Sequence, residues 1–541
     1  MNLTCCTLLL LAADGMLRAN AAYQNKKKCT LMEDLCTLLC HSDDFRCKLY
    51  VTQLLLAMTC ASDSAVDAIR STEGLQDALI VYSSYAGKER RKRWLRYPQE
   101  IVKSIWFAKR RRDRNRRQPF IEAASLRNNL NGRIQGTANQ VLAAIGYNKW
   151  VPKIPGQKGL RILCLDGGGS RGMTSCVAMK LLVDSLGGME IADCFDLVVG
   201  TSTGAIIAFL VGLKLETSAR AVERYDALIE KIFIKSTFSA PMLLFTTAVY
   251  DESPFMNVLS EILGDDTMLD SRANPSVPFV FAVTSKMSSN PTKIALFRNY
   301  NYSGGELPDP FMINPDDARE SLDLPIHHEA KDIKRNSYQR KGVGQESSSR
   351  HPGSFRALQR YALRASTAAP TVFKPVLMGG EMYCDGGIVA SNPSAISIHE
   401  ARNIFPDVPI ELVVSIGTGG FREQKSEPRI GWDGIIGQII ASATDGEQIH
   451  HILEDILGDG KTAQGRSSVS DTRYMRFNPI LGMPDEYPID VTDPEKLNQI
   501  KNITTKYMEE PEQKQKLQDL ANILKGRTNR SWKRKNHRIN L

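Results

Sequence analysis

The sequence predicts an α/β domain preceded by an α-helical region. Two short apolar runs with strand character, residues 160–166 and 195–199, each end in a glycine-rich turn that opens into a helical pattern. In residues 1–86, by contrast, leucines recur at helix-face spacing, as Leu31 and Leu35 do. Alternating strands and helices are typical of α/β folds, so we expect the sheet to lie in the later part of the chain.

The second glycine turn is a candidate nucleophile elbow. Its sequence is Gly200-Thr201-Ser202-Thr203-Gly204, placed between a strand and a helix. A sharp turn of this kind raises a serine out of the sheet, and glycines flank it because larger side chains would clash there. Ser202 is therefore the predicted nucleophile.

The first glycine turn is a candidate oxyanion hole. It consists of Gly167, Gly168, Gly169, Ser170, Arg171 and Gly172. The backbone amides of Gly168 and Gly169, with Ser170 as a third candidate, could stabilise an oxygen that becomes charged during ester cleavage. Arg171 could support the loop or meet a substrate phosphate. Loop support is favoured, because an arginine within a turn usually bonds nearby carbonyls.

Two other interpretations of the first turn are weaker. A dinucleotide-binding unit would need an acidic residue at the end of the next strand, where this chain has the Gly200 turn. A P-loop would need a Gly-Lys-Ser/Thr sequence after the glycines, which is absent. The elbow and the first turn together suggest a serine hydrolase instead. A third motif, Asp385-Gly386-Gly387 at the end of a short strand, favours this interpretation.

These three motifs, in this order, resemble the patatin-like phospholipase family, and within it the calcium-independent phospholipases A2 of the gamma type. The resemblance covers residues 159–420 and continues more loosely to Ile523. Further matching segments are residues 364–370, 391–394 and 414–419. The resemblance implies a patatin-like three-layer core with a central, mostly parallel sheet. It also implies a dyad of Ser202 and Asp385 that works without a histidine.

The chemistry of the residues favours the same base. A serine hydroxyl is a weak nucleophile unless a neighbouring base takes its proton. The chain has 8 histidines, and none lies in a strand-end motif, while His399, His450 and His451 fall in helical patterns. Burial next to Ser202 would raise the pKa of the Asp385 carboxyl and make it a stronger base.

Composition limits the other possibilities. The chain has 541 residues, enough for two or three domains, and no apolar stretch reaches the roughly 18 residues that a membrane span needs. The 11 cysteines follow no zinc-binding spacing, and those beside the catalytic motifs suggest reduced, intracellular thiols. We expect no metal and no cofactor, because a serine–aspartate mechanism needs neither, and no calcium-loop motif is present.

Pattern and composition divide the chain into five segments. They are a helical region (1–86, with an armadillo-like stack as one possible arrangement), a basic segment (87–118), a helical segment and linker (119–158), the patatin-like domain (159–420, with a disordered insertion at 303–354) and a helical extension with a basic tail (421–541). The helical region could also mediate a homodimer or contact a protein partner.

The basic segment, residues 87–118, contains two arginine- and lysine-rich runs and an apolar stripe with Trp106. A basic helix with such a stripe suits an anionic membrane surface, and a solvated linker is the main alternative. Nucleic acid is the less favoured partner. The net charge of +9 gives weak support to the membrane.

The sequence therefore predicts an enzyme that cleaves fatty acids from glycerophospholipids at a membrane surface through an acyl-Ser202 intermediate. A neutral-lipid lipase, a general acyl hydrolase of the same fold and a non-catalytic lipid-binding scaffold are the alternatives. The resemblance implies a peripheral location on endoplasmic reticulum, mitochondrial or peroxisomal membranes. The last three residues, Ile-Asn-Leu, differ from the Ser-Lys-Leu peroxisomal address.

Overall fold

The chain forms two compact units. A computed structural model describes residues 30–42, 45–83, 118–232, 252–303, 349–370, 372–422, 445–457, 472–483 and 486–527. The first unit comprises the described residues up to Lys149 together with Leu269–Pro275, and the second comprises the others. The predicted basic segment lies outside the described residues, except for Gln118. No helix within the described ranges combines the length and the apolar character that a membrane crossing requires.

The first unit is helical. Its elements are α1 (Thr30–His41), α2 (Phe45–Ala61), α3 (Asp63–Ser71), α4 (Leu75–Tyr82), α5 (Gln118–Ala144) and a 3₁₀ turn (Leu269–Ala273). Leu35, Leu39 and Leu55 are buried, as their helical spacing predicts, whereas Leu38 is 45% exposed. Over the described residues, the prediction of an N-terminal helical region is thus confirmed, and the armadillo-like arrangement stays a prediction.

The second unit is built around a sheet of nine strands among the described residues. The strands of this sheet are β1 (Leu160–Leu165), β2 (Leu197–Thr201), β3 (Phe279–Lys286), β4 (Lys293–Arg298), β5 (Gly353–Ser354), β6 (Val376–Met378), β7 (Glu381–Asp385), β8 (Ile410–Ile416) and β10 (Arg473–Phe477). The order is β10-β8-β1-β2-β3-β4-β5, and the pairs from β10 to β3 are parallel. A separate pair, β9 (Gly420–Phe421) and β11 (Ile480–Gly482), follows β8 and β10.

Helices cover both faces of this sheet. They are α6 (Gly172–Leu186), α7 (Ile191–Cys194), α8 (Thr203–Ala208), α9 (Ser218–Ile232), α10 (Glu252–Leu263), α11 (Gln359–Ser366), α12 (Gly387–Ala390), α13 (Ser394–Ile404), α14 (Glu447–Leu457), α15 (Pro494–Glu509) and α16 (Pro511–Leu524). Successive β1 side chains enter different cores: Leu163 and Leu165 pack with α6, α9 and α15, and Ile162 and Cys164 pack with α13 and α14. The predicted three-layer α/β fold is confirmed.

The position of β7 brings two distant motifs together. On one side of β3, β2 pairs with residues Phe279–Val283 and ends there. The other side of β3 is occupied by β4, which pairs along Phe281–Lys286. Because a strand has only two hydrogen-bonding edges, β7, which pairs with β3 from Thr284 onward, must continue on the β2 side. Its last residue, Asp385, therefore lies where β2 ends.

Two segment boundaries differ from the sequence analysis. The predicted extension begins at residue 421, yet β10 lies within it and pairs with β8 at the edge of the main sheet. The predicted disordered insertion extends to residue 354, yet Gly353–Ser354 forms β5 and pairs with β4. Both strands are short and contain polar residues, so their composition alone does not distinguish them from loops.

Candidate active site

Ser202 occupies a strained turn between β2 and α8. Its backbone has φ 53° and ψ −119°, a conformation that a residue with a side chain rarely adopts. The flanking glycines permit this conformation, because they let neighbouring backbone atoms approach where a side chain would clash. A Cβ on Gly200 would lie 2.1 Å from the Gly204 carbonyl carbon, and one on Gly204 would lie 2.1 Å from the Leu165 oxygen. The turn has the backbone geometry of a nucleophile elbow.

The Ser202 hydroxyl faces the Asp385 carboxylate. Ser202 Oγ donates a hydrogen bond of 2.6 Å to Asp385 Oδ2. The other carboxylate oxygen, Oδ1, accepts a 2.7 Å bond from the Gly387 amide, which fixes the orientation of the carboxylate. The structure thus brings together the serine of one predicted motif and the aspartate of another.

The environment of Asp385 strengthens it as a base. Burial raises the pKa of its carboxyl from 3.8 to about 6, although the hydrogen bonds from Ser202 and Gly387 and the charge of Arg364 act in the opposite direction. Arg364 itself pairs with Glu252 at 2.7 Å, so its charge is partly neutralised. A carboxylate with this pKa is mostly ionised at neutral pH and still a stronger base than an exposed one.

The glycine turn that precedes α6 lies beside Ser202, since a Cβ on Gly167 would be 3.4 Å from the Ser202 Cβ. The amide of Gly167 donates to the Ser391 carbonyl at 3.0 Å, and that of Ser170 donates to the Ile489 carbonyl at 2.7 Å.

The amide of Gly172 bonds within the turn itself. Among the described residues, the amides of Gly168 and Gly169 have no acceptor. These two amides are therefore the candidate donors to a substrate oxygen, whereas the third candidate, Ser170, is already engaged.

Arg171 is buried against this turn. Its Nε donates to the Gly168 carbonyl at 3.2 Å, and its guanidinium lies 4.8 Å from the centre of the Phe421 ring. Burial lowers the pKa of Arg171 to about 10. The bond to Gly168 is the loop support that sequence reasoning favoured for this residue. The Gly169 carbonyl is held as well, by the hydroxyls of Thr203 at 2.9 Å and Tyr225 at 2.6 Å.

Several residues that support the site were not assigned roles from the sequence. Ser366 Oγ accepts the Ser202 amide at 3.0 Å and donates to the Val283 carbonyl at 2.6 Å, which holds the elbow against β3. Thr418 donates to the Gly167 carbonyl at 2.8 Å. Both lie in segments that contribute to the family resemblance, residues 364–370 and 414–419. The resemblance of these segments to the family was therefore the sequence signal that could have identified Ser366 and Thr418.

The histidines of the second unit lie elsewhere. Among those the structure describes, His399 contacts Arg350 and Asn403. His450 and His451 lie on α14, and no described histidine bonds to Ser202 or Asp385.

Among the described residues, one group could hold a metal ion. It consists of His450, His451 and Glu454, whose ligand atoms lie within 4.8 Å of one another. His450 is partly buried and the other two residues are exposed. The group includes neither residue of the serine–aspartate pair.

Fold and site together define a class: α/β proteins that place a serine on a strained elbow, opposite a buried carboxylate and beside two available amides. Residues 163–397 match the family model described as patatin-like phospholipase. The chain belongs to the patatin-like phospholipase family, as the three motifs indicated.

Known relatives agree with this assignment. Calcium-independent phospholipase A2-gamma of Homo sapiens is 31% identical over 388 residues, which cover 71% of this chain and 42% of that protein. Phospholipase A I of Arabidopsis thaliana is 29% identical over 395 residues, which cover 67% of this chain and 28% of that protein. The chain thus spans less than half the length of these relatives. The resemblance to the gamma type is confirmed.

Among solved structures, human GIVD cytosolic phospholipase A2 aligns with 13% identity and a TM-score of 0.32, over 68% of this chain and 63% of that one. A similarity at this level supports no inference about the site.

Proposed function

We propose that this chain is a phospholipase A-type serine hydrolase that releases fatty acids from membrane glycerophospholipids. The observation that carries the proposal is the 2.6 Å hydrogen bond from Ser202 Oγ to the buried Asp385 carboxylate. Next to this pair lie the Gly168 and Gly169 amides, which have no acceptor among the described residues. A nucleophile, a base and an oxyanion site are the three parts that acyl transfer requires.

In the first half of the reaction, Asp385 Oδ2 takes the proton of Ser202 Oγ as this oxygen attacks the ester carbonyl carbon. The carbonyl oxygen becomes an oxyanion and accepts hydrogen bonds from the Gly168 and Gly169 amides. The C–O bond to the glycerol then breaks, and the protonated Asp385 gives its proton to the departing alkoxide. The products of this half are a lysophospholipid and an acyl-Ser202 ester.

In the second half, water replaces the alcohol. Asp385 takes a proton from water as the water oxygen attacks the acyl carbon, and the same amides hold the oxyanion. The bond to Ser202 Oγ breaks, Oγ recovers the proton from Asp385, and a free fatty acid leaves. Both halves use Asp385 directly, so no histidine is needed to relay the proton.

Activity should follow the ionisation of Asp385. Its pKa is raised by burial to about 6. Because only the ionised carboxylate can accept the serine proton, kcat/KM should rise as pH increases through about 6 and then level off. The measurement is kcat/KM for a soluble short-chain ester between about pH 4.5 and 8, the acid limb of which reports this pKa.

The control for this profile is Asp196, whose pKa burial also raises to about 6. Asp196 accepts hydrogen bonds from the Arg161 amide and Gln157, at the opposite end of β2 from Ser202. Asp196→Asn should therefore keep the same acid limb. An acid limb that is missing from the wild type, or that disappears in Asp196→Asn, would contradict the assignment of Asp385 as the base.

The choice of phospholipid as substrate rests on the relatives, whose names describe phospholipases. We place the enzyme at the surface of intracellular membranes, with the basic segment as the candidate lipid contact, although residues 84–117 lie outside the described part of the chain. A neutral-lipid lipase uses the same dyad. A non-catalytic scaffold is disfavoured, because it has no need for both a paired serine–aspartate and two available amides.

The test is product analysis on vesicles of phosphatidylcholine and phosphatidylserine that also contain triacylglycerol. The wild type should release fatty acid and lysophospholipid in equal amounts, and Ser202→Ala should release neither. A strong calcium chelator should change the rate by no more than about twofold, because amides rather than a metal hold the oxyanion. Fatty acid without lysophospholipid would favour the lipase, and vesicle binding without products would favour the scaffold.

A further inference from the structure

The hydroxyl of Thr418 contacts the candidate oxyanion site from outside the glycine turn. Thr418 follows β8 in sequence, and its Oγ1 donates a 2.8 Å hydrogen bond to the carbonyl of Gly167. The reaction sequence above does not use this residue. A second hydroxyl, that of Ser391, reaches the same carbonyl at 3.4 Å and is therefore the weaker partner.

The geometry of the peptide bond connects this contact to catalysis. The Gly167 carbonyl and the Gly168 N–H belong to one peptide unit, which is trans. In a trans peptide the C=O and N–H groups point in opposite directions. A donor that fixes the carbonyl on one side therefore fixes the direction of the Gly168 N–H on the other side.

Thr418 is itself held firmly. The amide of Gly417 donates to the Phe477 carbonyl at 2.9 Å, and that of Gly419 donates to Asn478 Oδ1 at 2.8 Å. The Gly417 carbonyl accepts a 2.9 Å bond from the Ser175 hydroxyl. Thr418 is thus fixed on both flanks by the end of β10 and by α6, and only 6% of it is exposed.

Gly168 allows the close approach of this hydroxyl. A Cβ at Gly168 would lie 2.1 Å from Thr418 Oγ1 and 2.6 Å from Thr418 Cβ, so any side chain there would displace the threonine or the loop. The Thr418 hydroxyl can therefore occupy this position only because residue 168 has no side chain.

We propose that Thr418 is a positioning residue of the oxyanion site, which orients the Gly168 amide toward the substrate oxygen by holding the Gly167 carbonyl. This inference rests on the proposed function and goes beyond it. It explains the fixed direction of the Gly168 amide by the side chain of Thr418, which follows a different strand, β8.

The test compares Thr418→Val, which removes the hydroxyl at nearly constant shape, with Thr418→Ser, which retains it. Because complete removal of one oxyanion donor lowers kcat by about 10²–10³-fold, a misdirected donor should lower it by about 10–100-fold. Thr418→Val should show this loss in kcat, with KM within about threefold of the wild type. Thr418→Ser should keep kcat within about threefold.

The matched control is Thr504→Val. Thr504 is buried like Thr418, and its hydroxyl donates to the Ile500 carbonyl at 2.8 Å within α15. The Thr504→Val variant should lose about as much thermal stability as Thr418→Val while keeping kcat. Thr418→Ala serves as a second variant that introduces no bulk beside Gly168 and should match Thr418→Val in kcat.

Inhibitor binding separates positioning from general disruption. A fatty-acyl trifluoromethyl ketone adds to Ser202 and forms a tetrahedral oxyanion, whereas the corresponding secondary alcohol forms none. Thr418→Val should weaken the ketone by the same factor as kcat/KM and leave the affinity for the alcohol unchanged.

If Thr418→Val and Thr418→Ala behave like Thr504→Val, or if ketone and alcohol lose affinity equally, the inference is wrong. The proposed function itself is judged separately, by the wild type against Ser202→Ala on the same ester. Equal rates for those two proteins would reject the function before Thr418 is considered.

Discussion

Ser202→Ala should reduce ester hydrolysis by at least about 10⁴-fold, and Asp385→Asn should come close to the same loss, because nucleophile and base act as one unit. The serine variant removes the atom that carries the acyl group. The asparagine variant keeps the shape of the side chain but removes the base that takes the serine proton across the 2.6 Å contact. The measurement is kcat/KM for a soluble short-chain ester, with the folded state of each variant checked by thermal unfolding.

The controls are the histidines that a conventional triad would require. His399 bonds to Arg350 and Asn403, and His451 is an exposed residue of α14. His399→Ala and His451→Ala should therefore keep most of the activity. A folded histidine variant as inactive as Ser202→Ala would reject direct proton transfer to Asp385. Full activity in Asp385→Asn would reject it as well.

The elbow and the glycine turn could be predicted from sequence because their constraints are local. Gly200 and Gly204 leave no space for a Cβ, and the contacts that exclude it lie within the turn or on the adjacent β1. Such requirements leave a fixed pattern of residue types between a strand and a helix. For the same reason Ser202 could be identified as the nucleophile before any partner was known.

The supporting contacts could not be predicted, because they depend on strand order. Asp385 reaches Ser202 only because β7 takes the place beside β3 that β2 leaves free, which sequence spacing does not reveal. The resemblance to the family supplied this pairing instead. Ser366 and Thr418 act through hydroxyl-to-carbonyl bonds to residues more than 80 positions away in sequence.

The contribution of β10 to the sheet was missed for a related reason. A five-residue strand with two arginines, Arg473 and Arg476, does not have the composition of a buried strand. Arg476 is nevertheless buried, because β10 pairs with β8 and places this side chain against carboxylates from elsewhere in the chain. Its partners, Asp166, Ser415 and Glu447, come from three different parts of the sequence, so no local pattern predicts them.

The buried ion pair of Arg476 and Asp166 connects β10 to the start of the glycine turn. Arg476 Nη2 lies 2.7 Å from Asp166 Oδ2, and the two side chains are 3% and 4% exposed. The guanidinium also contacts Glu447 at 2.7 Å and the hydroxyl of Ser415 at 2.7 Å. Asp166 immediately precedes Gly167, so this pair fixes the point where the turn leaves β1.

Arg476→Met should destabilise the second unit by about 3–5 kcal/mol at neutral pH, because it leaves the Asp166 carboxylate buried without a cation. Burial already raises the pKa of Asp166 to about 6, with Arg476 opposing the rise, so the variant should have a still higher pKa at this position. Above the ordinary pKa of an aspartate, the unfolded chain ionises while the folded variant resists ionisation. The destabilisation relative to the wild type should therefore grow as pH rises and shrink as pH falls.

Urea unfolding at about pH 5 and about pH 8 measures this destabilisation. The difference in the free energy of unfolding between wild type and variant should be larger at the higher pH. Arg473→Met, at an exposed position of the same strand, should be nearly neutral at both pH values. Adding Asp166→Asn to Arg476→Met should restore part of the lost stability and remove most of the added pH dependence, because the amide carries no charge to bury. A difference in unfolding free energy that stays constant with pH would show that the lost stability arises from packing rather than from an uncompensated carboxylate. A double variant less stable than Arg476→Met would show the same.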